Sequence, residues 1–312
     1  MRESELLSHI FKKTPGPTGP VVVGPGDDMA QLKLDEMNLL IGVDQVIAGR
    51  HVDISRVGPE LVGRKAVCRC LSDVAAMGAK PIAGVVTVAI PTGDEMINDA
   101  WIKKLSDSVH QVGQSFGCPI VGGDIAVLPE KGQALVLTVT VLATSNDGRV
   151  LLRSGAEVGD GVYVTGELGR TLEADGHGHH LHFVPRIELS LRLKKVLGED
   201  LHAMIDLSDG LARDAGHIAK ASGVGIELEG AMIPRRNGAS LHEAIADGED
   251  YELCFTSSSA VNEVDGIPVA RVGTVVDAAR CHPCRVIVND GATSQCVDDL
   301  GYEHISRAPN AD

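Results

Sequence analysis

Acidic residues recur along the sequence, mostly close to a glycine or at the end of a short apolar segment. They are Asp27, Asp28, Asp44, Asp73, Asp124, Asp206, Asp209, Glu249 and Asp250. Two unit charges about 4 Å apart repel by roughly 4 kcal/mol at an effective dielectric constant of 20, so such a group can share one pocket only around cations. Mg²⁺ takes oxygen ligands and is commonly shared between carboxylates and substrate phosphates. The pattern therefore indicates phosphoryl transfer, in which positioning and charge neutralisation supply most of the catalysis.

Asp73 lies in the middle of the segment that the other elements must position. Residues 66–81 carry apolar side chains at helical spacing, and Gly78 followed by Pro81 predicts where the helix ends. Arg69 stands one turn before Asp73 and could neutralise it, which is the simplest structural explanation for a single aspartate. The acids elsewhere in the chain favour a metal-binding role instead.

Two familiar phosphate-binding patterns are nearly matched and both fail. Residues 24–28 follow an apolar segment as a glycine-rich turn, but Met29 stands where a dinucleotide fingerprint needs its third glycine. Residues 58–66 resemble a P-loop, yet Gly63 is not followed by Lys and a hydroxyl residue. The second segment is interpreted as the start of the central helix. The acids also do not fall within one short loop, as an EF-hand calcium site requires.

Composition narrows the class of protein. The chain has 312 residues and a formal net charge of −15, which argues against a nucleic-acid partner. It shows neither an apolar segment long enough to span a bilayer nor a signal peptide, so no membrane partner is expected. The seven cysteines, an odd number, predict reduced thiols and a cytoplasmic location. Cys281 and Cys284 form one C-x-x-C pair, which is too few ligands for a structural zinc site.

The order of apolar segments predicts an α/β (α+β) fold. Strands are expected at 21–23, 37–43, 82–90 and 134–143, with a long helix at 94–116. The strands before Asp44 and Asp124 are expected to end at those acids. An Asn-Asp-Gly turn at 146–148 places the boundary between two domains, 1–146 and 147–312. Leu-Ser-Asp occurs at 71–73 and again at 207–209, which hints that the two halves are similar.

Some polar residues have competing explanations. Ser208 and Asp209 precede a predicted helix and could simply cap it. For His51, an ordinary structural hydrogen bond is the simpler explanation. The histidine-rich tract 177–182 fits either a transition-metal site or a polar loop near a phosphate site.

Taken together, these motifs resemble the thiamine-monophosphate kinases, members of the aminoimidazole ribonucleotide synthetase-like superfamily. The resemblance covers about residues 24–304 and is most specific at 71–81 and 248–253. Its motifs are Gly-Asp-Asp at 26–28, the segments 44–51 and 71–81, Gly-Gly-Asp at 122–124, Arg-Ser-Gly-Ala at 153–156, Asp-Leu-Ser-Asp-Gly at 206–210 and Gly-Glu-Asp-Tyr-Glu-Leu at 248–253.

The resemblance implies an N-terminal mixed sheet with helices, which pairs with the sheet of a second subunit into a dimeric barrel, and a second α/β domain of similar design. It implies ATP as co-substrate, several Mg²⁺ ions, and transfer of the γ-phosphate to thiamine monophosphate. Expected magnesium ligands are Asp28, Asp44, Asp73, Asp124, Asp206 and Asp209. Expected ATP contacts are Gly123, Asp124, Arg153 and Ser208, and expected contacts to thiamine monophosphate are His51, Glu249 and Tyr302. No catalytic base is expected, because the accepting phosphate oxygen is already ionised.

The chain departs from the family pattern at four positions near the motifs. Val43 replaces a usual Ser or Thr, Ala48 replaces a usual Glu, and Ile125 with Ala126 replaces two threonines. These departures leave two alternatives open: a relative that phosphorylates or activates a different small substrate, and a homologue that binds nucleotide or metal without turnover.

Overall fold

The structure, a computed structural model, describes residues 7, 9, 10, 12, 19–145, 147–291 and 293–303. The first sheet contains β1 (Val21–Val23), β2 (Ala30–Leu34), β3 (Met37–Ile47), β4 (Lys80–Pro91), β5 (Ile120–Leu128) and β6 (Val136–Thr144). Its strand order is β1-β2-β3-β6-β4-β5; β4 and β5 run parallel and the other neighbours run antiparallel. The sheet is therefore mixed, as predicted.

The second sheet is also mixed and follows the first in sequence. Its strands are β7 (Gly161–Thr165), β8 (Leu201–Asp206), β9 (Gly225–Glu229), β10 (Leu253–Ser257), β11 (Glu263–Val264), β12 (Ile267–Val276), β13 (Val286–Asp290) and β14 (Thr293–Cys296). The order is β14-β13-β9-β12-β7-β10-β8, with β11 paired to β12. β9 and β13 are parallel, and the remaining pairs are antiparallel.

The helices pack between and beside the two sheets. They are α1 (Pro59–Ala76), α2 (Asp99–Ser115), α3 (His179–His182), α4 (Ile187–Leu197), α5 (Leu211–Ser222), α6 (Leu241–Ala246) and α7 (Ala278–Cys281). α1 packs on β3 and β6 of the first sheet and also reaches β8 of the second. One apolar core accordingly joins residues of α1 and both sheets, and a second core lies where α5 and α6 cover the second sheet.

Sequence patterns account for α1. Pro59 occupies its first turn, where a missing N–H costs nothing, and Val67, Leu71 and Val74 are fully buried on its apolar side. Gly78 has a φ of +60° just after the helix, which is the conformation that a glycine stop provides. The prediction of this central helix is confirmed.

Two predicted strand ends are wrong. β3 continues past Asp44 to Ile47, and β5 continues past Asp124 to Leu128. Both strands are longer because residues 44–47 of β3 pair with β6 and residues 124–128 of β5 pair with β4. β10 is buried at every one of its five residues, Leu253–Ser257.

The cysteine prediction is wrong for one pair. Cys284 and Cys296 form a disulfide across the ends of β13 and β14, whereas the other five cysteines are free and buried. Cys281 is one of those five, so the C-x-x-C pair does not act as a unit.

Within the described ranges, no helix has the length and apolar character needed to cross a membrane.

Candidate active site

Three carboxylates from three different parts of the fold meet in one place. Asp28 lies on the turn before β2, Asp73 on α1, and Asp206 at the last position of β8. One oxygen of each lies within 4.8 Å of the others. This contact forms because α1 is packed between the sheets that carry the other two residues. It brings together three of the six predicted magnesium ligands.

The electrostatics of this acidic cluster (Asp28, Asp73 and Asp206) favour a bound cation. Burial raises the pKa of Asp73 well above its usual range, and the neighbouring carboxylates raise it further. Burial together with the Asp28 carboxylate raises the pKa of Asp206 to about 7, although Ser72 donates a hydrogen bond of 2.6 Å to it. Oδ2 of Asp28 is buried without a hydrogen-bond partner among the described residues. An oxygen-only donor set with an unpaired buried oxygen fits a hard dication such as Mg²⁺.

Arg153 holds the turn that presents Asp28. Its guanidinium donates to Asp28 Oδ1 from Nη2 at 2.6 Å and from Nε at 3.2 Å. Its backbone amide donates to both carboxylate oxygens of Asp27. Arg153 was predicted to contact ATP; in the described structure its partners are this pair of acids.

Asp44 lies beside the acidic cluster and is paired with Arg69. Arg69 donates from Nε and Nη2 to the two Asp44 oxygens, at 3.0 and 3.1 Å. Such a bidentate pair is stronger than a single-point contact. Arg69 on α1 thus pairs with Asp44 on β3. The alternative explanation of Asp73, an ion pair with Arg69 within the helix, is therefore wrong.

Asp209 belongs to a second group of possible ligands, with Asp214 and His217. The sequence reasoning missed the latter two, although they share one face of α5 three residues apart. Asp214 Oδ2 already accepts hydrogen bonds from the backbone amides of Asp209 and Gly210. Its first role is therefore to hold the turn that carries Asp209.

Gly123 and Asp124 lie apart from these acids within one chain. The register pairs Asp124 with Thr87, Thr87 with Thr138, and Thr138 with Gln45, so Asp124 and Gln45 share one face of the sheet. Asp44, the neighbour of Gln45, points to the opposite face. Three strand spacings, about 14 Å in total, separate the backbones at Asp124 and Gln45.

A cavity of about 430 Å³ collects the residues predicted for the substrate. Its lining includes His51, Glu249 and Tyr302 together with Arg50, Arg69, Leu172, Ser208, Asp209, Asp247 and Tyr251. The Arg50 guanidinium lies 5.1 Å from the centre of the Tyr302 ring, which is cation–π distance. Ser208 and Asp209 in this lining come two and three residues after Asp206, so the cavity adjoins the acidic cluster.

The segment that carries Glu249 has an unusual backbone. Glu249 and Tyr251 have φ values of +55° and +50°, although neither is a glycine. The amide of Glu249 donates to Ser208 O, and that of Tyr251 donates to Leu207 O, both at 2.8 Å. Non-glycine residues in this region are strained and are found mainly at functional sites. The hydrogen bonds hold the Glu249 loop against the loop that carries Ser208.

Glu249 is ionised because cations surround it. Burial alone would raise its pKa, but the Lys65 ammonium and the Arg69 guanidinium outweigh that effect and lower it. Burial and the Lys65 ammonium also lower the pKa of His180, so its imidazole is neutral.

The histidines divide between structural and cavity roles. His51 Nδ1 accepts a hydrogen bond of 2.9 Å from the amide of Ile47, so its structural explanation holds, and its ring also lines the cavity. In the tract 177–182, His177 contacts Arg56 O and His179 contacts Asp250 O. Among the described residues, this tract contributes to no group with metal-binding geometry.

Comparison with known proteins first defines the class. Residues 26–144 match the model of the AIR synthase related protein, N-terminal domain. Proteins named hydrogenase maturation protein HypE share the fold; one in complex with ATP gives a TM-score of 0.69 at 20% identity over 86% of both chains.

The particular family follows from closer relatives. The thiamine-monophosphate kinase of Salmonella typhimurium is 34% identical over 280 residues, covering 81% of this chain and 82% of its own. That of Bacillus subtilis is 30% identical over 336 residues, covering 97% and 99%. The solved structure of AaThiL complexed with AMPPCP and TMP gives a TM-score of 0.80 at 26% identity, over 97% of both chains. The chain belongs to the thiamine-monophosphate kinase family.

Proposed function

We propose that this protein transfers the γ-phosphoryl group of ATP to thiamine monophosphate and so forms thiamine diphosphate. The observation that carries the proposal is the acidic cluster of Asp28, Asp73 and Asp206, which adjoins through Ser208 and Asp209 the 430 Å³ cavity that we call the substrate cavity. Membership of the family and the resemblance to AaThiL, which binds AMPPCP and TMP, support it. A phosphorylated acceptor supplies an ionised oxygen as nucleophile, so no basic side chain is needed beside it.

Magnesium is the proposed cofactor. Asp28, Asp73 and Asp206 would hold it, with Asp44 and Asp209 adjacent; more than one ion would balance this many acids. When bound, Mg²⁺ neutralises charge on the transferred phosphoryl group. The chain's own contribution is to fix the carboxylates, through Arg153 at Asp28 and through Ser72 at Asp206.

The nucleotide and the acceptor are proposed to bind next to each other at the acidic cluster. Arg153 and Ser208 flank it and would contact ATP, while His51, Glu249 and Tyr302 line the cavity for thiamine monophosphate. Arg50 and Arg69 in the same lining add positive charge, which suits the phosphate of the acceptor.

We propose a homodimer that completes the site. Gly123 and Asp124 were expected at the nucleotide, yet they lie on β5, the edge strand of the first sheet, and Asp124 faces away from Asp44. The same face exposes Val43, which is 62% accessible. A second copy packed on this face would contribute Gly123 and Asp124 to its partner's nucleotide.

Mixing two inactive variants, Asp73→Asn and Asp124→Asn, tests this dimer. A mixed dimer has one site with both aspartates intact, so part of the activity should return; no recovery would argue that each chain works alone.

The cytoplasm is the proposed compartment, because ATP is abundant there. The Cys284–Cys296 disulfide is the observation that weighs against it.

The test of the function is direct. Purified protein is incubated with ATP, Mg²⁺ and thiamine monophosphate, and thiamine diphosphate is quantified after oxidation to its fluorescent thiochrome. Matched reactions contain EDTA, or replace the acceptor with thiamine. Formation of thiamine diphosphate only with Mg²⁺ and thiamine monophosphate supports the proposal. Nucleotide binding without product would identify a non-catalytic homologue.

A different acceptor is the second candidate function. Val43 stands where the family usually has a metal-binding hydroxyl, and its side chain is exposed on the sheet face opposite Asp44. A substitution at such a position changes the surroundings of the nucleotide while the acidic cluster stays intact. Turnover with another phosphorylated acceptor, and none with thiamine monophosphate, would favour this candidate.

A further inference from the structure

We infer that Lys65 and His180 are positioning residues, which together fix the carboxylate of Glu249 for binding of the thiamine moiety. This inference rests on the proposed function, since it concerns the same substrate cavity. Neither residue was expected to take part from the sequence: Lys65 belonged to the rejected P-loop match, and His180 to the histidine tract.

Lys65 is the centre of the arrangement. Its side chain is completely buried on α1, and Nζ contacts Glu249 Oε1 at 2.6 Å, His180 Nδ1 at 2.7 Å and the carbonyl oxygen of His51 at 2.7 Å. An ammonium group has three protons, so all three are used. A buried lysine charge is tolerated only when it is compensated in this way.

These contacts also determine the state of His180. Because the Lys65 ammonium can only donate, Nδ1 of His180 must accept. The ring proton therefore lies on Nε2, which donates to Gly176 O at 3.2 Å. The His180 side chain is only 2% exposed, so its ring is held from both nitrogens.

Glu249 is the group that faces the substrate. Its side chain is 27% exposed and lines both the substrate cavity and a neighbouring cavity of about 600 Å³. Lys65 holds one of its oxygens, while the other, Oε2, lies 3.5 Å from His180 Nδ1. A carboxylate fixed on one oxygen offers the other in a single orientation. Thiamine carries a cationic thiazolium ring and an amino group on its pyrimidine, both of which an ionised carboxylate can bind.

The two nitrogens of His180 provide a sharp test. Asparagine places a polar atom close to the position of Nδ1, whereas glutamine places one close to Nε2. His180→Asn therefore keeps an acceptor for Lys65, and His180→Gln keeps the contact with Gly176 O but releases Lys65. His182→Gln is the matched control, because the His182 side chain is exposed in the same tract.

For His180→Gln we expect the KM for thiamine monophosphate to rise about tenfold, with the KM for ATP and kcat nearly unchanged. His180→Asn and His182→Gln should stay close to the wild type. A role limited to holding the loop through Gly176 predicts the reverse order of the two His180 variants. That reversal, or equal KM values in all of them, would overturn the inference.

Failure of the inference can be told apart from failure of the proposed function. Absence of thiamine diphosphate with the wild-type protein counts against the function itself. In that case calorimetric binding of thiamine monophosphate compares the same variants: about tenfold weaker binding to His180→Gln alone supports the role of Lys65 and His180. Equal binding to every variant, or none to the wild type, refutes it.

Discussion

Replacing Asp73 by asparagine should abolish turnover and, at alkaline pH, stabilise the metal-free protein. The side chain is nearly isosteric, so the packing of α1 is unchanged. Removing the charge takes away one of three carboxylates whose oxygens lie within 4.8 Å of one another. Two unit charges at that distance repel by about 3.5 kcal/mol at an effective dielectric constant of 20.

The pH dependence follows from the raised pKa values. Burial raises the pKa of Asp73, and that of Asp206 to about 7, so between roughly pH 4 and pH 7 the folded state binds more protons than the unfolded state. The free energy of unfolding of the metal-free wild type therefore falls as pH rises through this window. Asparagine has no proton to lose at position 73. The variant should match the wild type near pH 4 and exceed it at pH 8, by up to about 3 kcal/mol.

Thermal unfolding with and without Mg²⁺ measures the effect. A gain of up to about 3 kcal/mol corresponds to roughly 5 °C in Tm for a chain of this size. Mg²⁺ should raise the Tm of the wild type at pH 8 much more than at pH 5, and should raise that of Asp73→Asn little at either pH. Kinase activity should fall by more than about 100-fold. The control is Asp107→Asn, an exposed aspartate on α2. An Asp73→Asn variant that keeps its activity, or that is less stable than the wild type at pH 8, would refute the reasoning.

Three further predictions concern metal, backbone and disulfide. EDTA should abolish activity and lower the Tm at pH 8 but barely at pH 5, because the carboxylates are protonated there; an equal loss at both pH values would contradict this. Gly123→Ala should lower the Tm strongly, since its Cβ would lie 1.8 Å from the carbonyl oxygen of Val86, whereas Gly122→Ala, with its nearest atom 3.9 Å away, should be tolerated. Cys296→Ser should destabilise the protein by about 3 kcal/mol, and Cys284→Ser equally, because the disulfide closes a loop with a sequence separation of 12; an unchanged Tm in reducing buffer would count against it.

The local sequence pattern was enough to predict most of the helices and strands and part of the candidate site. The apolar spacing and the Gly78 stop of α1 act within a few residues, so the central helix could be predicted. The apolar segment before Asp206 ends at that residue, as β8 does. The ends of β3 and β5 could not be predicted from their glycines and acids, because pairing with neighbouring strands extends them.

Individual partners were harder to predict than the elements that carry them. Arg69 and Asp73 have suitable helical spacing, yet Asp73 turns towards Asp206 and Arg69 reaches Asp44 on β3. The burial of Lys65 could not be predicted either, since a lysine on a helix is normally exposed. It is buried here only because His180, 115 residues away in sequence, and Glu249 both reach it.

The amino-acid sequence by itself determined the chemistry of this protein. Its many carboxylates can share one site only when cations and phosphates lie between them, and they stand in motifs that identify the family. Periodicity and charge are properties of the chain that can be counted without coordinates. The tertiary structure alone decided which acids meet, that Asp28, Asp44 and Glu249 pair with Arg153, Arg69 and Lys65, and that Gly123 and Asp124 stand apart from the acidic cluster. Those outcomes depend on strand register and on packing between distant segments, where the energy of a contact depends on its neighbours in space.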